Sequence, residues 1–338
     1  MWPELVKDKL SRRKFLTVLS STPLYSLITL NSSDEKEKER GEMRKTEVVV
    51  LRTESREQGI SKALSMLDLS GKFRNQKVMI KPNFNTADPF PASTHNETLV
   101  ELVKELRQRG VDSLTVGERS GPPPTEEVFQ DKDIYKLSEE LGFQLINFDQ
   151  LSSEDLQFCQ PNNSHWADGF RVARPLIEAD RVVATCCLKT HQYGGKFTMS
   201  LKLAVGIVPR EGYDYMSELH SSPDMRKMIA EINQAYTPDL ILMDAMEIFT
   251  DGGPAFGQRE TANLIIAGTD RVAVDAVGLA VLKHRGSNED IMEPEIFEQE
   301  QIRRAVELDL GVQSPEQISL VGDDKSEQII SDLRDQLE

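Results

Sequence analysis

Hydrophobic and polar positions follow two rhythms along the chain, and the rhythms alternate. Short runs rich in β-branched residues, Glu47–Leu51, Lys77–Lys81, Ser113–Val116 and Phe143–Phe148, predict strands. Between them Ile60–Leu69, Glu97–Arg109 and Ile134–Leu141 carry apolar residues at helical spacing. In the second of these, Leu99, Val100, Val103 and Leu106 mark one face, and Gly110 ends it. A polar stretch, Gln150 to Asp168, reads as an excursion or subdomain edge. Beyond it Arg181–Leu188 is a continuous apolar run, the kind that forms a strand buried on both faces. Lys196 to Val205 and Met225–Tyr236 read as helices, Leu240–Met243 and Asn263–Ala267 as strands, and Arg271–Lys283 as a helix. A helix from Pro294 to about Leu308 and a strand at Ile318–Val321 complete the series. No internal repeat is present. The alternation predicts an α/β fold: a parallel or mixed sheet with helices on both faces, in a single large domain over 46–338. In such folds ligands sit beyond the carboxyl ends of strands, so residues there are the first candidates for function.

The first 45 residues break the rhythm. Ser11-Arg12-Arg13-Lys14-Phe15-Leu16 leads into an apolar run, Phe15 to Leu30, interrupted by Ser20, Ser21 and Pro23. A charged region before a short apolar one is the pattern of a targeting segment, and the paired arginines make residues 1–30 a twin-arginine signal. The apolar run falls short of the roughly 20 residues that span a bilayer. No small-x-small site follows Leu30, so the segment is either removed or kept as a membrane tether. Residues 31–45 are dense in charge and nearly free of apolar groups, a linker that cannot bury enough surface to fold. The expected location is therefore periplasmic or otherwise extracytoplasmic. The expected partner is the twin-arginine translocase, with membrane contact only through an uncleaved N-terminal segment.

Charge narrows the remainder. The chain carries −16, and its first 30 residues hold five basic and two acidic groups, which leaves −19 on the rest. Phosphate contacts need a basic face, so an acidic body argues against nucleic-acid partners. Three cysteines, Cys159, Cys186 and Cys187, lack the spacing of an iron–sulfur or zinc site, so a cluster is not expected. Cys186 and Cys187 fall in the buried run and should face opposite sides of a sheet as structural thiols.

Against that acidic background one window stands apart. Arg181 to Arg210 contains Arg181, Lys189, Lys196, Lys202 and Arg210 and no acidic residue. Such a segment creates a local positive potential that attracts anions. Lys189-Thr190-His191 follows the buried strand, Gly194-Gly195 permits close backbone approach, and a helix is expected from Lys196. Strand, glycine loop and helix start is a general way to hold phosphate or carboxylate. The Walker spacing is absent.

Other chemistry-bearing residues recur at strand ends. Lys81 and Asn83 follow the second strand, and Gly117-Glu118-Arg119 closes the third. Asp244 closes Leu240–Met243, Asp251-Gly252-Gly253-Pro254 forms a turn, and Asp270 precedes a helix that it could simply cap. His95 and His220 precede or enter helices. With His191 and Glu118, the carboxylates Asp244, Asp251 and Asp270 are candidate ligands for a divalent metal, the one cofactor these residues suggest.

These segments together resemble the domain of unknown function number 362 family over about residues 46–285. The likeness rests on Lys81-Pro82-Asn83, Thr94-His95, Leu188-Lys189-Thr190-His191 and Ser200-Leu201-Lys202 with Gly206 and Pro209. It extends through His220, Asp244, Gly252-Gly253-Pro254-x-x-Gly257, Ala267-Gly268-Thr269-Asp270 and Val274-Asp275-Ala276. Some members of that family carry a Cys-rich ferredoxin-like module, which this sequence lacks. Where members often have Lys-Asn, this chain has Lys202-Leu203. The resemblance implies no reaction.

The reading that results is an exported α/β protein that binds a small anionic ligand. His191, His220 and Lys189 are its candidate catalytic residues. Lys81, Asn83, Lys196, Lys202, Gly252 and Gly253 are the candidate ligand-binding residues. The alternative is a non-catalytic binding or assembly protein that uses the same pocket.

Overall fold

Eight strands form one continuous mixed sheet, and a ninth branches from it, in a computed structural model that describes residues 45–210 and 212–338. The strands in chain order are β1 (Thr46–Arg52), β2 (Lys77–Lys81), β3 (Ser113–Glu118), β4 (Gln144–Asn147), β5 (Leu156–Cys159) and β6 (Phe170–Ala173). They continue with β7 (Arg181–His191), β8 (Lys196–Thr198), β9 (Leu240–Gly252), β10 (Gly257–Gly268) and β11 (Ile318–Val321). The sheet runs β11-β1-β10-β9-β7-β2-β3-β4, with β8 beside the end of β7, while β5 and β6 pair with each other. Along the main path only β10 opposes its neighbours.

The helices are α1 (Arg56–Met66), α2 (Asn96–Gln108), α3 (Thr125–Asp131), α4 (Ile134–Leu141), α5 (Arg174–Ile177) and α6 (Ser200–Leu203). They continue as α7 (Tyr215–Ser221), α8 (Met225–Ile232), α9 (Arg271–Arg285), α10 (Glu289–Met292), α11 (Glu300–Glu307) and α12 (Glu327–Leu337). One face of the sheet packs Val49, Ile80 and Cys187 against Ile60 of α1 and Leu99 and Leu102 of α2. The other packs Val50, Cys186 and Met243 against Val277 of α9, Ile302 of α11 and Leu333 of α12. Adjacent Cys186 and Cys187 thus serve opposite cores, as the period of two in a strand requires.

The strand order places a topological switch. From β2 the chain moves outward through β3 to β4, then returns to β7 on the other side of β2 and moves outward again through β9. The crevice beyond the carboxyl ends of β2 and β7 is therefore where this architecture leaves room for a ligand.

Several expectations change in detail. The helix expected from Lys196 is a hairpin instead: β8 pairs antiparallel with β7, Lys189 opposite Thr198 and His191 opposite Lys196, and α6 begins only at Ser200. Strand β7 accordingly extends three residues further, so Lys189 and His191 lie on the strand and not in a loop. Strands β9 and β10 also run well past the apolar cores Leu240–Met243 and Asn263–Ala267. Their outer halves carry polar residues such as Glu247, Asp251, Gln258 and Arg259, which hid the strand pattern. Helix α1 starts at Arg56 because Ser55 accepts a hydrogen bond from the Gln58 N–H. The polar stretch from Gln150 holds β5, one strand of the small ribbon. The twin-arginine segment and nearly all of the charged linker lie outside the described residues. Among the described residues no helix is long and apolar enough to cross a membrane.

Candidate functional site

Strands β2, β3 and β7 end side by side at the switch, and their last residues are polar. Lys81 closes β2, Glu118 closes β3, and Lys189 and His191 stand at the end of β7; all four are buried. Burying an ion costs several kcal/mol unless it is paired, so partners decide whether these charges are tolerated. Lys81 Nζ donates to Glu118 Oε1 at 2.5 Å and to the Pro82 carbonyl at 2.7 Å. Glu118 also accepts the N–H groups of Phe84 (2.7 Å) and Arg119 (2.9 Å). Burial pushes the Glu118 pKa up and the Lys81 pKa down, and their mutual attraction opposes both shifts. Gly206 is required here: a Cβ at that position would lie 2.5 Å from Glu118 Oε1 and 2.8 Å from Lys81 Nζ.

Among the described residues the neighbouring cations have no carboxylate within salt-bridge distance. Lys189 Nζ donates to the carbonyls of Pro91 (3.0 Å) and Ala92, and burial lowers its pKa. Arg119 donates to the carbonyls of Val208, Ser120 and Val205, and burial, then the charge of Arg210, brings its pKa down to about 10. Lys202 projects from α6, whose start is fixed by Asp275 of α9. The Asp275 carboxylate accepts from Ser200 N–H (2.8 Å), Ser200 Oγ (2.5 Å) and Leu201 N–H (3.0 Å). Burial, then the cations Lys189 and Arg119, lowers the Lys202 pKa to about 8.

His191 completes the group. Burial and then the charges of Lys202 and Lys189 drive its pKa down to about 2, so the imidazole is neutral throughout the physiological range. Its Nδ1 is buried and, among the described residues, has no hydrogen-bond partner; the same holds for Thr198 Oγ1. Asn83 Nδ2 likewise has no hydrogen-bond partner among the described residues. An unsatisfied buried polar atom costs about 1–3 kcal/mol, and three of them line one cavity with Lys81, Arg119, Lys189 and Lys202.

That inner cavity measures about 60 Å³. One water needs roughly 10–15 Å³ on this measure, so a compact anionic group fits. The cavity opens past Asn85, Arg119, His191, Lys202 and Pro254 into an outer cleft of about 700 Å³. His220 of α7 lies on this outer cleft, exposed at its edge, and partial burial followed by the Lys202 and Arg119 charges lowers its pKa.

The segments that build this cavity are also those that place the chain among known proteins. The family model for Domain of unknown function (DUF362) matches residues 78–280, well over half of the chain. The chain belongs to that family. The DUF362 span runs from β2 into α9 and so contains every residue of the inner cavity. Among solved structures, the lactate racemase apoprotein from Thermoanaerobacterium thermosaccharolyticum is similar over 84% of this chain and 85% of that one. The identity is 13% and the TM-score 0.45, too distant to carry chemistry from one to the other. No curated protein matches the chain.

Of the residues singled out in the sequence, the DUF362 cavity gathers Lys81, Asn83, Lys189, His191 and Lys202, and the outer cleft adds His220. Others stand elsewhere. Lys196 stands opposite His191 in the hairpin but has a left-handed backbone (φ 58°) and pairs with Asp290 at 3.4 Å, outside the cavity lining. Gly252 and Gly253 touch no ligand space themselves. A Cβ on Gly253 would strike the Thr190 carbonyl at 2.1 Å, so the glycine lets the turn close and sets Pro254 at the cavity wall.

The three aspartates do not meet. Asp244 accepts from Arg56 Nε (2.9 Å) and Thr98 Oγ1 (2.5 Å), tying α1 and α2 to the sheet. Asp251 is exposed on the hairpin with Asn288 (2.9 Å). Asp270 caps α9 through the Ala273 N–H (2.9 Å) and accepts from the Val312 N–H (2.8 Å). Among the described residues no group of three or more His, Cys, Asp or Glu side chains is placed to hold a metal. His95 caps α2, where it accepts from the Glu97 N–H at 3.2 Å. Asn85 and Thr198 belong to the site without having been singled out, and Arg119, noted at the end of the third strand, takes a binding role that its position alone does not assign.

Proposed function

We propose that the protein binds a small organic anion, its carboxylate or phosphate group seated in the inner cavity. The observation that carries this reading is a convergence. Four cations and one carboxylate, a surplus of three positive charges, line the same cavity as three unpartnered polar atoms, in a body that is otherwise acidic. Lys202 and Arg119 supply charge where the two compartments meet, Lys189 adds a third cation, and Thr198 and Asn83 offer hydrogen bonds. Lys81 is held by Glu118 and shapes the floor. If the anion is transformed there, Lys202, near pKa 8, is the group to exchange a proton, while His191, held neutral, serves as a hydrogen-bond partner. His220 at the cleft edge would exchange protons with solvent.

The test is a titration of the protein with inorganic phosphate and with short carboxylates at low ionic strength, across pH 6 to 10. Lys202 is cationic below about pH 8 and neutral above it, so affinity is expected to be highest below pH 8 and to fall as pH rises through that value. Affinity that is flat from pH 6 to 10, or no binding at all, would overturn the assignment.

We also propose that this body is exported as a folded unit by the twin-arginine translocase, on the strength of Arg12-Arg13 before the apolar run. Cell fractionation tests it. The double substitution Arg12→Lys, Arg13→Lys is expected to strand the protein in the cytoplasm, and unchanged export would refute the route.

A further inference from the structure

The inner cavity accounts for the head of a ligand but not for the space outside it. The outer cleft of about 700 Å³ is more than ten times larger, and its character changes with distance from the cations. At the shared neck stand Asn85, Arg119, His191, Lys202, Val205 and Pro254; beyond them the apolar walls are Pro122, Pro209, Met216 and Ala255, with Arg210, Asp214 and His220 also on the lining. Phe256, Tyr193 and Tyr213 are the three most exposed large apolar residues among those described, and each lines this cleft or directly adjoins in sequence a residue that does. Tyr193 lines it, Phe256 follows the lining residue Ala255, and Tyr213 precedes the lining residue Asp214. Large apolar side chains exposed together around one opening mark a binding surface.

We infer that the ligand is an amphipathic anion: a carboxylic or phosphoric acid whose apolar body lies along the outer cleft while its head enters the inner cavity. The inference rests on the anion reading above and adds the class of molecule. A bare inorganic anion would leave the proline and methionine walls uncovered, and an uncharged apolar molecule would leave the cations and His191 Nδ1 unsatisfied. Only a molecule with both parts meets both compartments. Because head and body enter through one neck, Lys202 reads the charge and the wall behind it reads the chain.

The experiment is isothermal titration of the whole protein at pH 7 with acetate, butanoate, hexanoate and octanoate, with inorganic phosphate alongside. Each methylene moved from water to the wall contributes up to about 0.8 kcal/mol, or roughly fourfold in Kd. Tightening by two- to fourfold per methylene, with every acid weakened about 10-fold or more in Lys202→Met and the increment itself blunted in Ala255→Gln, is the expected result. Equal binding of phosphate, acetate and octanoate would overturn the amphipathic ligand while leaving the anion site standing. No binding of any compound would remove both. Octanoate binding undiminished in Lys202→Met would show adhesion to exposed apolar surface, and would overturn the inference as well.

Discussion

Replacing Lys202 by Met is expected to weaken anion binding about 10- to 150-fold while making the unliganded protein more stable. The binding loss follows from removing a charge-assisted hydrogen bond, about 1.5–3 kcal/mol. The gain has a separate origin. Lys202 is flanked by Lys189 and Arg119, and burial with those charges lowers its pKa from 10.5 to about 8. A lysine whose folded pKa is depressed destabilises the fold most below that folded pKa, where it must carry its charge in an unfavourable place. The shift corresponds to about 3 kcal/mol at most. Lys202 is partly open to the cleft, so solvent screening reduces the figure to about 1–2 kcal/mol, or roughly 2–6 °C in Tm. The advantage of Met should shrink as pH rises from about 8 towards 10.5, where the unfolded lysine also loses its proton. Thermal melts of both proteins at pH 7 and pH 10, with and without phosphate, read all of this. A lysine with a structural role would show the opposite sign: Met would lower Tm.

The second large effect lies one layer deeper. Glu118→Gln is expected to cost about 3–5 kcal/mol, because it leaves Lys81 charged and uncompensated in a buried position. The same change removes the charged acceptor from the Phe84 and Arg119 N–H groups. In urea the midpoint should fall at unchanged slope. Adding Lys81→Met should restore part of the loss, since no lone charge then remains. If the single variant unfolds at the wild-type midpoint, the Lys81–Glu118 pair does not hold the cavity floor.

Much of this was legible in the sequence because function follows strand ends in α/β sheets. Lys81, Asn83, Lys189 and His191 each follow or close an apolar run, and that position alone brought them forward. The acid-free window was informative in the same way, yet it also misled. Of its five cations only Lys189 and Lys202 line the inner cavity. Arg181 donates to the Lys72 carbonyl at 3.0 Å, Lys196 pairs with Asp290, and Arg210 sits on the outer cleft. A charge count cannot say which way a side chain points, and Gly194-Gly195 reads equally well as a hairpin turn or a helix entry. The aspartates failed for a related reason. Asp244 closes an apolar run just as Lys189 does, but α1 and α2 cover it with Arg56 and Thr98, contacts 188 and 146 residues distant in the chain. Arg119 stood at a strand end in the sequence but gained no binding role there, because that role arises from β2 and β3 lying side by side, with Arg119 and Gly206 brought together at 3.2 Å.

The most direct test of the central claim is a crystal soaked in selenate, whose anomalous scattering locates a tetrahedral dianion without reference to activity. The account predicts a peak in the inner cavity, within hydrogen-bonding distance of Lys202 Nζ and close to Thr198 Oγ1 and His191, that disappears in Lys202→Met. Selenate found only on surface lysines, with the cavity between β2 and β7 holding none, would contradict it.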